Sequence, residues 1–199
     1  TNCGFDHLPK NLVPKALFVT HSHGDHFDPE AVVSLGVKKV YTHSSWSSHA
    51  MKVLSEAAAR KKLPVPEVVG VDFAESVEID DIKITSVPSI HSTSLVVDGK
   101  FEETSMYLVE KASSRLLYAT DTAGISGDAA RMIGIDAHIT SDNYKRIFTK
   151  NPFVHKPQAL TALIMEATNG DLDSDFRIFS HSSVQNVARI VKAMKNTGR

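Results

Sequence analysis

The chain has a single cysteine, Cys3, in 199 residues. That excludes an internal disulfide and any zinc site built from several cysteines. Neither sign of charge is in excess: 22 Lys and Arg against 23 Asp and Glu leave a formal net charge of −1. No global field therefore draws the molecule to nucleic acid or to a membrane surface. No apolar run approaches the ~20 residues of a membrane span, and no signal peptide is recognisable. The expected location is the cytoplasm, with no membrane partner. Internal repeats and low-complexity segments are also missing. The first residue is Thr1 rather than methionine, so the sequence is expected to be a segment of a longer chain. What remains is ordinary soluble composition, 42% hydrophobic and 23% charged, at a length that suits one domain over residues 1–199.

Against that background one stretch stands out: His21-Ser22-His23-Gly24-Asp25-His26, four metal-type side chains in six residues. It follows the apolar run Ala16-Leu17-Phe18-Val19, which reads as a buried strand. His21 and His23 leave that strand at alternate positions and can point the same way. Gly24 permits a sharp turn that brings Asp25 and His26 back toward them. Asp28-Pro29-Glu30 then opens a helix, with Asp as N-cap, Pro at the first helical position and Glu in the first turn. The cluster thus lies on a strand-to-helix loop, where α/β architectures place chemistry. Imidazole and carboxylate together suit zinc, and also iron or manganese.

His-x-His-x-Asp-His resembles the signature of the metallo-β-lactamase superfamily. The resemblance implies an α/β fold, a four-layer αββα sandwich, here without its first strands and with the last strand in question. Three further residues sit at expected strand ends: His91 in Ser-Ile-His-Ser, Asp121 after Leu-Tyr-Ala-Thr, and His181 after Arg-Ile-Phe-Ser. By the same resemblance, His21, His23 and His91 hold one divalent cation, Asp25 and His26 hold a second, and Asp121 bridges both. Zinc is the first choice of metal, with manganese and iron as alternatives. His181 is either the last ligand or a proton donor to substrate. Asp25 and His181 are the candidate catalytic groups, and the proton-donor role is the one expected of His181. Asn2 is the nearest polar candidate for the aspartate that often supports the metal loop in this family.

The rest of the chain supplies the frame. A helix is expected from Pro29 to Leu35, stopped by Gly36, and a strand from Lys38 to Thr42. Trp46, Ala50, Val53, Leu54, Ala57 and Ala58 recur at helical spacing over 46–61, ended by the prolines at 64 and 66. His43 and His49 read as surface or capping residues. Strands are expected at 68–73, 76–79 and 82–87, then at 95–97 and 105–109 around the turn signal Asp98-Gly99, and at 116–120, 136–141 and 176–180. Ser182-Ser183-Val184-Gln185 reads as a capping box. It leads a helix whose apolar stripe is Val184, Val187, Ala188, Val191 and Met194.

Two cations about 3.5–4 Å apart can clamp an in-line displacement, and a metal-bound water with its pKa lowered to about 7 is a nucleophile at neutral pH. The resemblance therefore implies a hydrolase using a metal-bound hydroxide. The zinc β-lactamases generally carry Cys where Asp121 stands, so a true β-lactamase is not expected. Residues 143–165 contain no acid but include Lys145, Arg146, Lys150 and Lys156 among Tyr144, Phe148 and Phe153. This leans toward an anionic, small-molecule or nucleotide-type substrate, although a solvated loop would look the same. The expected activity is phosphodiester hydrolysis of the ribonuclease Z-like kind. A glyoxalase II-type thioesterase, a di-iron redox protein and a non-catalytic metal scaffold are the alternatives. Nucleic acid as a partner is neither indicated nor excluded, and the sequence does not give the oligomeric state.

Overall fold

A computed structural model describes residues 13–133, 160–168 and 180–198. The expected strands at 136–141 and 176–179, the basic stretch at 143–156, and Asn2 and Cys3 lie outside the described residues. The chain divides into two compact units. One comprises the chain up to Asp72 together with Thr93–Ser105; the other comprises Phe73–Ser92 and the chain from Met106 onward.

The first unit holds a parallel three-stranded sheet in the order β1-β2-β3, with β1 at Leu17–Phe18, β2 at Lys39–Thr42 and β3 at Glu67–Gly70. The register sets Leu17 opposite Val40 and Val40 opposite Val68. Parallel neighbours need a crossover, and helices α1 (Pro29–Leu35) and α2 (Ser47–Lys61) provide the two. Asp28 caps α1 as expected, its side chain accepting from the backbone N–H groups of Glu30 and Ala31, and Gly36 closes it at φ 68°. That left-handed conformation is the reason for glycine there. Helix α2 buries Ala50, Leu54, Ala57 and Ala58, one stripe at 3.6-residue spacing. These pack with Val19, Val33, Val40 and Trp46 into one core. Trp46 belongs to a short 3₁₀ turn, Ser44–Trp46, before the helix proper.

The second unit holds a five-stranded sheet in the order β10-β9-β8-β5-β4: β4 Ser76–Ile79, β5 Ile82–Pro88, β8 Ser105–Lys111, β9 Ser114–Ala119 and β10 Ala162–Met165. Strand β10 runs parallel to β9, whereas β8 and β9 form an antiparallel pair. Helices α3 (Gly127–Met132) and α4 (Val184–Gly198) belong to the same unit. Its core gathers Val87, Met106, Leu108, Leu117, Ala119, Ala129, Ile133 and Ile190. Each unit thus has its own sheet, helices and core, and the chain is of the α/β class. Among the described residues no helix is long and apolar enough to cross a membrane.

Three local expectations need correction. The turn Asp98-Gly99 does not join the strands at 95–97 and 105–109. It closes a smaller ribbon of β6 (Val96–Val97) and β7 (Lys100–Phe101), and β8 pairs within the five-stranded sheet instead. The cap of α4 is Ser183, whose Oγ accepts from Asn186 N–H; Ser182 turns inward and donates to Thr122 O. Among the described side chains of α4 the buried one is Ile190, while Val184, Val187, Ala188 and Val191 line an open groove of about 500 Å³. The apolar stripe expected on that helix does not mark its covered face at these four residues, and the side chain of Met194 lies outside those described.

Candidate metal centre

In the first unit, β1 delivers Thr20 and His21 into the loop. His21 is 1% exposed. Its Nδ1 lies 3.0 Å from Thr20 Oγ1, and its Nε2 lies 3.1 Å from His23 Nδ1. With the His21 proton on Nδ1, held by Thr20, the Nε2 lone pair faces the His23 ring. Two ring nitrogens that close need a proton or a cation between them. The His21 and His26 ring centroids are 4.2 Å apart, and His26 Nε2 is 3.6 Å from Asp25 Oδ2. The loop is closed by the N–H groups of His26 and Phe27, both donating to His23 O at 2.9 and 2.8 Å. Gly24 is not what makes this turn: its φ is not positive, and an added Cβ would meet nothing within 4 Å. The first unit therefore brings together His21, His23, Asp25 and His26.

In the second unit the carboxyl ends of β5, β9 and β10 and the start of α4 converge. His91 follows β5. Its side chain is 2% exposed, its Nδ1 donates to Ser180 O at 3.0 Å, and its Nε2 lies 3.9 Å from Asp121 Oδ2. That distance is too long for a hydrogen bond. It fits two ligands flanking one ion, because two bonds of about 2.1 Å span at most about 4.2 Å. Asp121 sits just beyond β9 at φ 47°, a left-handed backbone that Asp tolerates better than most residues. Ser89 Oγ donates to its carbonyl at 2.9 Å, fixing the turn. His181, just before α4, lies with its Nδ1 3.9 Å from Asp121 Oδ1, and its ring centroid is 5.0 Å from that of His91.

Glu166 was not anticipated. It follows β10, and its two oxygens lie 3.0 and 2.9 Å from His181 Nδ1. Oε1 also accepts Thr122 N–H at 2.6 Å, and Thr168 Oγ1 donates to Oε2. One donor atom each from Asp121, Glu166 and His181 falls within 4.8 Å of the others, the spacing of a cation site. The signal was available in Ala162-Leu163-Ile164-Met165-Glu166, an apolar run ending on an acid. It is the pattern that marked Asp121, in a run of only four residues. His43 holds the capping role assigned to it: its Nδ1 accepts Ser45 N–H at 3.2 Å. His49 belongs to none of the ligand-type groups among the described residues.

The chemistry of the donor set is consistent across the two units. His21, His91 and His181 each have Nδ1 engaged, by Thr20 Oγ1, Ser180 O and Glu166 respectively. Ligating imidazoles are held in this way in metalloproteins, one ring nitrogen fixed by a neighbour and the other turned toward further donors: His21 Nε2 faces His23 Nδ1, and His91 Nε2 faces Asp121 Oδ2. In each unit imidazole nitrogens stand with carboxylates, Asp25 in the first and Asp121 and Glu166 in the second, and that pairing of donors fits divalent cations.

A family model described as a beta-lactamase superfamily domain matches residues 2–194. A search of curated proteins gave no match. Among solved structures, CmlA, a diiron beta-hydroxylase from Streptomyces venezuelae, superposes with a TM-score of 0.55 at 19% identity, over 96% of this chain and 35% of its own. The metallo-beta-lactamase fold protein YhfI from Bacillus subtilis gives 0.51 at 14% identity, over 91% of this chain and 61% of its own. A "possible metal-dependent hydrolase" from Veillonella parvula gives 0.54 at 16% identity, over 93% and 60%. At such identities the likeness shows the fold alone. This chain spans between about a third and three fifths of the length of these structures.

Proposed function

The chain belongs to the β-lactamase superfamily domain family, and from that premise we propose that it is a metal-dependent hydrolase acting on a phosphodiester or a related anionic ester. The observation that carries the reading is the common state of His21, His91 and His181, each with Nδ1 engaged by a neighbour, as in imidazoles that ligate through the other ring nitrogen. In this reading His21, His23 and His91 hold one divalent ion, Asp25 and His26 hold a second, and Asp121 serves both. Such ions, when bound, supply a nucleophile from water at neutral pH and stabilise charge on substrate oxygens.

The chain's own groups then have separate tasks. Thr20 and the Ser180 carbonyl keep His21 and His91 in the tautomer that offers Nε2. His181, with Nδ1 on Glu166, delivers a proton from Nε2 to the leaving-group oxygen. Aspartate rather than cysteine at position 121 and the basic stretch at 143–156 support an anionic ester over a β-lactam.

A second reading has its own support. The second unit places two carboxylates, Asp121 and Glu166, beside His181, and a carboxylate-rich donor set suits iron as well as zinc. Under it the protein is a di-iron redox protein, and the purified protein is coloured. One experiment separates the readings: elemental analysis of the purified chain, with a panel of a bis-nitrophenyl phosphate, a 2′,3′-cyclic nucleotide and a glutathione thioester. Zinc or manganese with turnover of a phosphate ester supports the first reading. Turnover of the thioester alone would replace phosphodiester by thioester, and iron with no ester turnover would overturn hydrolysis.

A further inference from the structure

The loop 21–26 is anchored by a carboxylate far away in sequence. Glu102 is 6% exposed. Its Oε1 accepts Ser22 N–H at 2.7 Å, and its Oε2 accepts the Ser22 hydroxyl at 2.6 Å and the Thr93 hydroxyl at 2.5 Å. One residue is thus gripped by both its backbone and its side chain. We propose that Glu102 positions the metal loop: by holding Ser22 it sets the directions in which His21 and His23 present their ring nitrogens. The proposal rests on the metal-centre reading given above.

Ser22 lies between the two histidines, and alternation along the chain makes their common direction depend on its backbone angles. A carboxylate bonded to its N–H and its hydroxyl fixes both the peptide plane and χ1. Thr20, on the other side of His21, is held from the same segment, since Ser105 N–H donates to Thr20 O at 2.9 Å. His21 is therefore bracketed on both sides by residues 102–105. Those residues belong to the short excursion Thr93–Ser105, which rejoins the first unit after the chain has already left it. The Glu102 N–H is tied in turn to Leu95 O at 3.0 Å, so the carboxylate is carried on a braced ribbon.

Charge gives an independent argument. A buried carboxylate is costly unless its charge is matched. Among the described residues, no Lys or Arg side chain is bonded to Glu102, and its partners are an amide and two hydroxyls. A cation held by His21 and His23 would supply the missing positive charge next to that loop. Loops of this kind lose about 10–100-fold in metal affinity when a supporting partner is removed.

The test compares Glu102→Gln, Ser22→Ala and Thr93→Val in the full chain. Zinc affinity is measured by competition with a chromophoric chelator. The visible spectrum of the cobalt-loaded protein reports ligand geometry, and the melting curve of the metal-free protein reports the fold. Glu102→Gln is expected to bind zinc about 10–100-fold more weakly with an altered cobalt spectrum. Ser22→Ala should show a smaller loss in the same direction, because the backbone bond survives. Thr93→Val, which removes a bond to Glu102 without touching the loop, should stay close to wild type. Wild-type affinity and spectrum in both Glu102→Gln and Ser22→Ala would overturn the inference and leave the metal centre standing. So would losses in all three variants that simply follow their loss of melting temperature. If Glu102→Gln does not fold, Ser22→Ala decides by the same criteria. A wild-type chain that takes up no zinc, cobalt or iron would overturn the metal-centre reading itself, and this inference with it.

Discussion

Replacing Glu166 by glutamine removes a charge while keeping a shape. The Glu166 side chain is 9% exposed, and its two oxygens are nearly equidistant from His181 Nδ1 at 3.0 and 2.9 Å. A glutamine can keep its amide oxygen where Oε1 stands, still accepting Thr122 N–H and the His181 ring N–H. The tautomer of His181 is then preserved, and only the charge on its hydrogen-bond partner is lost. A hydrogen bond to a charged group is worth about 1.5–3 kcal/mol, so turnover should fall about 10–100-fold where the proton is needed. The loss should be confined to substrates with poor leaving groups. A nitrophenyl ester leaves without help and should lose little. The assay is kcat for an alkyl and a nitrophenyl phosphodiester, with zinc content and melting temperature recorded for each sample. Equal losses on the two esters would refute the argument, as would loss of metal, since either result would make Glu166 a ligand or a structural brace.

Three other outcomes are expected. His181→Ala should retain its full metal content and lose about 10²–10⁴-fold in turnover of poor leaving groups, and loss of one equivalent of metal would make it a ligand instead. Trp46 is fully buried against Phe27, with ring centroids 5.5 Å apart, and its Nε1–H has no partner among the described residues. Trp46→Ala should cost about 3–5 kcal/mol by denaturant unfolding. Trp46→Phe should cost clearly less, because it also removes the unsatisfied donor, and equal costs would show that the indole N–H is satisfied. An added Cβ at Gly70 would lie 2.9 Å from Ser44 Cα. Gly70→Ala should therefore cost about 1–3 kcal/mol, and an unchanged unfolding midpoint would mean that the 3₁₀ turn yields freely.

Much of the candidate site was legible because it is local. Four of its residues fall within six positions, and the apolar run before them makes a strand end unmistakable. His91 and Asp121 could be read in the same way, each as the polar residue that stops an apolar strand. Glu166 escaped because β10 has only four residues, too short an apolar run to stand out as a strand even with the turn signal Asn169-Gly170 after it. Glu102 escaped for a different reason. Its significance is a bond to Ser22, 80 positions away, and no pattern in a single sequence carries that distance. The cap of α4 was misplaced by one residue because Ser182 and Ser183 are chemically identical. Only the pull of Thr122 O on Ser182 separates them.

The excursion Thr93–Ser105 has a consequence for how such a protein can be inherited. The chain passes from one unit to the other three times, after Asp72, after Ser92 and after Ser105. A gene fragment ending at residue 72 would encode the histidine loop and its sheet, but not Glu102, nor the Ser105 N–H on Thr20, nor the Glu103 N–H on Ser45. A single crossover after residue 105 keeps all of these bonds, but it carries Phe73–Ser92 of the second unit with them. The histidine loop with its supports is thus not separable from the second unit by cutting the chain at the first unit boundary.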